Sequence, residues 1–165
     1  MNYHEAVEYI ESMYRFGSRP GLEIITRLLD LMGNPHLKFR SVHAAGINGK
    51  GSTCAHIASV LKEAGFLTGL YTSPHLERFT ERIRVSGEEI GQEDVAEITG
   101  FVKGHIQTML EEGRPHPTEF EAITAIGFEY FKRKGVQYAV VEVGMGGRLD
   151  ATNVITPEVS VITPI

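Results

Sequence analysis

Apolar side chains recur at helical spacing in two opening stretches, first Tyr3, Val7, Ile10 and Tyr14, then Leu22, Ile25, Leu29 and Met32. Gly17 to Gly21 separates them and Gly33-Asn34-Pro35 ends the second, so both read as packed helices. Arg40 to Ala45 predicts a short strand, Gly46 to Gly51 a loop, and Ile57, Val60, Leu61 and Ala64 a helix with one apolar face. A second strand is predicted at Leu67 to Thr72. After it come a polar, turn-prone stretch from Ser73 to Glu81, long enough to cover something, then an alternating piece Arg82 to Val85 and a turn at Ser86-Gly87. Val95, Ile98, Val102, Ile106 and Met109 give another helix, Gly113 to Pro117 a break, and Phe120, Ile123, Gly127 and Tyr130 the start of the next helix. Val136 to Val143 is almost wholly apolar, the pattern of a strand covered on both faces, and Thr156 to Thr163 gives a last short strand. Strands alternating with helices predict a doubly wound α/β fold, a mostly parallel sheet with helices on both faces. One domain is expected, with no internal repeat or dividing linker.

Composition narrows the class without choosing a function. With 42% hydrophobic and 22% charged residues in 165, the chain is neither collagenous, low-complexity nor wholly disordered. Sixteen basic against 21 acidic side chains, a formal charge of −5, argue against broad nucleic-acid binding, although a local site of backbone amides, a lysine and a metal can still hold a polyanion. The single cysteine, Cys54, cannot form an internal disulfide and reads as a small helix-packing residue. With no apolar run of membrane-spanning length and no basic-then-apolar leader, a cytoplasmic protein without membrane partners is expected.

The strongest chemical signal is Gly46-Ile47-Asn48-Gly49-Lys50-Gly51-Ser52-Thr53, placed after a predicted strand and opening a helix. Glycines let the backbone bring several N–H groups toward phosphate oxygens, the helix N-terminus adds partial positive charge, and Lys50 can reach terminal phosphates. The loop departs from the common pattern in having Ala44 at the first glycine position and Gly51 between lysine and hydroxyls. The competing reading is a glycine-rich turn with a solvent lysine. The apolar strand ends in Glu142 and runs into Gly144-Met145-Gly146-Gly147-Arg148-Leu149-Asp150, bringing a carboxylate to the sheet edge where ligands gather. Magnesium prefers oxygen donors, which suits Glu142 with the hydroxyl of Ser73. Alternatively, loop amides or Arg148 satisfy Glu142, and Ser73 before a proline is turn chemistry.

Together with Tyr71-Thr72-Ser73-Pro74-His75-Leu76, Phe79-Thr80-Glu81-Arg82-Ile83, Thr118-Glu119-Phe120-Glu121 and Val141 to Asn153, this loop resembles the folylpolyglutamate synthase and dihydrofolate synthase family, a branch of the Mur ligase superfamily. The resemblance implies that Asn48, Gly49, Lys50, Gly51 and Ser52 hold the ATP phosphates, with Lys50 catalytic, and that Ser73 and Glu142 hold Mg2+. It implies folate contacts from Thr118, Glu119, Phe120, Glu121, Leu149, Asp150 and Ala151, with Ser73 to Arg82 shaping the cleft. Glu119 stands where relatives often carry an aromatic residue. Read by themselves, Phe120 is equally core packing, His75 loop packing, Glu121 an exposed helix acid and Arg82 a surface pair.

The implied reaction is ATP-dependent amide formation, in which a folate or pteroate forms an acyl phosphate that L-glutamate displaces. Family members continue past Ile165 into an aspartate-histidine pair, a modified lysine and a separate glutamate-ligase domain. Residues 1–165 are therefore expected to be an incomplete N-terminal ATP-binding domain, inactive alone and prone to associate, of an enzyme that is monomeric when whole. A cell-wall Mur-type ligase and a binding-only nucleotide module are the alternatives.

Overall fold

The first helix, α1 (Tyr3–Ser12), begins at a capping box: the Asn2 side chain accepts from the Glu5 N–H while the Glu5 carboxylate accepts from the Asn2 N–H. It is followed by α2 (Glu23–Leu31), β1 (Arg40–Ala45), α3 (Lys50–Glu63) and β2 (Thr68–Tyr71). A hairpin of β3 (Ile83–Val85) and β4 (Glu88–Glu89) comes next, then α4 (Gln92–Glu111), α5 (Glu119–Lys134), β5 (Tyr138–Glu142) and β6 (Val159–Ile162). These are the elements of a computed structural model that describes residues 1–165.

The six strands form one sheet in the order β4-β3-β2-β5-β1-β6. Strands β2, β5, β1 and β6 run parallel, whereas β3 and β4 return antiparallel through Ser86 and Gly87, both at positive φ as a two-residue hairpin turn requires. The predicted mostly parallel sheet is thus present, with an antiparallel ribbon at one edge. The strand predicted over Val136 to Val143 is shorter, because Gly135 ends α5 in the left-handed region and Val136 is buried in the connection before β5 begins.

Helices cover both faces unequally. Residues of α1, α2, α4 and α5 join Tyr71, Ile83, Ala139 and Val141 in the main core. On the other face α3 lies alone, with Cys54, Ile57, Ala58 and Leu61 over Val42, Ala44 and Val140. Every residue from Glu121 to Phe131 is buried, making α5 the central helix of its layer. No helix is long and apolar enough to cross a membrane.

Candidate active site

Three neighbouring strands end at the same sheet edge and deliver the site. Strand β1 leads through Gly46 to Gly49, which takes a left-handed conformation (φ 82) before Lys50 opens α3. The Thr53 N–H already bonds to the Gly49 carbonyl at 2.9 Å, so Lys50, Gly51 and Ser52 carry the first-turn N–H groups that have no acceptor within the helix. The Ile47 and Asn48 N–H groups instead both donate to the Pro164 carbonyl, at 3.1 and 3.2 Å. Asn48 therefore has its side chain, and not its N–H, free for a ligand.

Glu142 ends β5, in register with Ala44 of β1, and is only 6% exposed. Its Oε2 accepts from the Ser73 N–H at 3.0 Å, while Oε1 accepts no hydrogen bond. Of the two alternatives for this acid, the loop amide is present and the Arg148 pair is not. Ser73 and Glu142 are thus brought together, through the serine backbone. A side chain at Gly51 would start 3.7 Å from Glu142 Oε1, so the glycine between Lys50 and Ser52 keeps the carboxylate open to the phosphate turn. Burial raises the Glu142 carboxyl above its ordinary range, against the opposing pull of the Ser73 N–H and the Lys50 charge. The same surroundings push the Cys54 thiol up to about 12, chiefly by burial and then by Glu142, so Cys54 packs and is inert as a nucleophile.

Two of the residues expected to contact folate, Phe120 and Asp150, meet at Gly144, two positions beyond Glu142. A Cβ there would lie 2.5 Å from Phe120 Cζ and 3.0 Å from Asp150 Oδ2, and the Phe120 ring centroid is 6.3 Å from that of Tyr71. Asp150 is buried; its Oδ2 accepts from the Met145 N–H at 2.9 Å and its Oδ1 from the Thr152 N–H at 3.0 Å and the Thr152 hydroxyl. This carboxylate therefore pins the glycine loop that carries the half-exposed Leu149 into the single-turn helix starting at buried Ala151.

Thr118 and Glu121 form the capping box of α5, with the Thr118 N–H and hydroxyl donating to Glu121 Oε2 at 2.7 and 2.9 Å. The expectation of an exposed Glu121 is corrected: it is buried because the box turns its carboxylate back onto the helix start. Glu119 is half-buried and forms no direct hydrogen bond or ion pair. Burial raises its carboxyl, with Arg82 pulling it down and Glu11 pushing it up.

The loop from Ser73 to Arg82 is held by Glu81, whose carboxylate accepts from the N–H groups of Leu76, Glu77 and Arg78 at 2.9, 3.0 and 2.7 Å. These bonds, led by the one from Leu76, hold its pKa down to about 2. Arg82 donates from Nε to His75 Nδ1 at 2.7 Å, so it is tied within the loop and is no surface ion pair. Two participants carried no local signal. Pro164 lies far from the phosphate turn in sequence, and the buried His43, three residues before Gly46, meets the distant Thr152 hydroxyl through its Nε2 at 2.8 Å across 109 positions.

A mostly parallel sheet in which β1 runs through a glycine turn into a helix headed by lysine, with an acid ending the adjacent strand, defines a P-loop α/β domain of the Mur ligase type. No protein-family model matches the chain. The dihydrofolate synthase/folylpolyglutamate synthase of Bacillus subtilis is 42% identical over 164 residues, 99% of this chain and 38% of that protein. The crystal structure of Thermotoga maritima folylpolyglutamate synthase superimposes with a TM-score of 0.91 at 42% identity, covering 99% of this chain and 38% of the other. A folylpolyglutamate synthase complex with AMPPCP and folate gives 0.90 at 42% identity, over 98% of this chain and 40% of that one. Homologous over its whole length, the chain belongs with the folylpolyglutamate and dihydrofolate synthases, and it spans 38 to 40% of the length of these proteins.

Proposed function

We propose that residues 1–165 form the nucleotide- and folate-binding part of a cytoplasmic ATP-dependent ligase that joins L-glutamate to a folate or pteroate, with the glutamate-ligase domain lying outside these residues. The carrying observation is that Lys50 and the first turn of α3 stand beside Glu142 and Ser73, with Phe120 and Asp150 at the next turn of the same edge. The names of the relatives, and the AMPPCP and folate of one solved complex, support the choice of substrates.

In this reading the acceptor carboxylate attacks the γ-phosphorus, forming an acyl phosphate as the bond to ADP breaks. The glutamate amine then attacks the acyl carbon, phosphate leaves, and the amine nitrogen loses a proton. Lys50 and the free amides of α3 orient the polyphosphate and stabilise charge on its oxygens, as phosphoryl transfer demands. Ser73 and Glu142 fit Mg2+: both offer oxygen, Glu142 Oε1 has no partner, and a cation would relieve the cost of its buried charge. Bound there, the ion would supply neutralisation of the phosphate charge. Half-buried Phe120 and the exposed Leu149 offer apolar surface to the acceptor, while Asp150 keeps the loop of Leu149 and buried Ala151 in shape.

Melting with and without AMPPCP and Mg2+ tests the reading. At about 100 times Kd the ligand should stabilise by about 2.7 kcal/mol, raising Tm by roughly 5–10 °C. Lys50→Ala should lose most of that shift with an unchanged ligand-free Tm, and in the complete enzyme should lower turnover by about 10²-fold or more. Unshifted melting of the wild type, or full turnover of the variant, would refute it. Product from a nucleotide-sugar peptide and none from folates would point to a cell-wall ligase, and nucleotide binding without amide product in the complete enzyme to a binding-only module.

A further inference from the structure

We propose that Thr163 and Pro164, the residues just beyond β6, are positioning residues that clasp the phosphate loop and set its affinity for nucleotide. The inference rests on the reading of that loop as an ATP site.

The contact covers every residue of the turn between β1 and Asn48. The Thr163 N–H and hydroxyl both donate to the Ala45 carbonyl, at 2.8 and 3.2 Å. Pro164 offers its carbonyl to two successive donors, the Ile47 and Asn48 N–H groups. Between them Gly46, at φ 132, lies flat against Thr163: a Cβ there would stand 2.0 Å from Thr163 Oγ1, 2.9 Å from its carbonyl oxygen and 3.0 Å from its nitrogen. Only glycine permits that approach.

Two consequences follow for an anion. The clasp turns two amides away from the phosphate side and leaves the first turn of α3 as the donor set, so it selects which N–H groups the ligand meets. It also fixes the turn before the ligand arrives, removing an ordering cost that would otherwise weaken binding. Thr163 is 8% exposed, so its hydroxyl acts inside the contact and not on the ligand.

The test measures AMPPCP affinity by calorimetry on the complete chain, together with hydrogen exchange of the Ile47 and Asn48 amides, for wild type, Thr163→Val, Gly46→Ala and the double variant. Thr163→Val keeps the shape and loses the hydroxyl, and should weaken Kd by about three- to tenfold. Gly46→Ala should weaken it by more than about tenfold and release both amides to fast exchange, while the circular dichroism stays native. Because both changes act through one contact, the double variant should bind no more weakly than the product of the single effects predicts. Ser160→Ala, on the exposed part of β6, should bind like the wild type. If Gly46→Ala does not fold, Thr163→Val with its exchange rates decides the matter. Unchanged affinity in folded variants whose two amides have lost protection would overturn the clasp alone. A wild type that binds no AMPPCP would overturn the nucleotide reading and the clasp with it.

Discussion

His43 ties β1, the strand that leads into the glycine turn, to the segment after β5 through a single side chain. The Thr152 hydroxyl donates to Asp150 Oδ1, so it accepts from His43 Nε2–H, which assigns the neutral tautomer protonated on Nε2. Burial lowers the His43 pKa below 6.5 and outweighs the nearby Asp150 charge. Between the lowered value and 6.5 the unfolded chain binds the proton and the folded one does not, so stability falls as pH drops through that window. The Tm advantage of wild type over His43→Gln should therefore shrink on going from pH 7 to pH 5, a tenfold difference in proton affinity between the folded and unfolded chains being worth about 1.4 kcal/mol. A constant gap in calorimetric melts would contradict this. At this scale the placement of Lys50 at the head of α3 and of Glu142 at the end of β5 was legible, because a lysine after glycines and an acid ending an apolar run are local patterns. The sequence hid His43, whose partner is reached only when β1 lies beside the loop after β5.

Helix α5 is the element on which the proposed acceptor side stands. Its start was readable from the apolar spacing of Phe120, Ile123, Gly127 and Tyr130, but the burial of Glu121 was not, since a Thr-x-x-Glu capping box looks the same on a surface helix. Thr118→Ala removes the acceptor for the Glu121 N–H and one of the two Thr118 donors to a buried carboxylate. It should lower stability by about 1–2 kcal/mol, roughly 2–8 °C in Tm, with an unchanged urea m-value. An unaltered melting curve would mean that Glu121 finds other donors. Periodicity marked the amphipathic elements, and it weakened where α5 is buried on every side. The two-residue strand β4 was too short to leave any pattern.

At the level of the whole molecule, alternation of strands and helices pointed to the α/β class, while the strand order needed long-range pairing that no local window contains. Strand β6 pairs with β1 on one side only and exposes Val159 at 53% and Ile162 at 73%. Such an edge favours pairing between chains. The 165-residue chain should associate as its concentration rises, and Ile162→Lys should keep it monomeric in sedimentation runs; equal association of both would place the contact elsewhere. The union of Ala45 with Thr163 also spans 118 positions of the polypeptide. During synthesis the glycine turn leaves the ribosome long before Thr163 and Pro164, so a nascent chain lacks the long-range contact that fixes the turn in the folded protein.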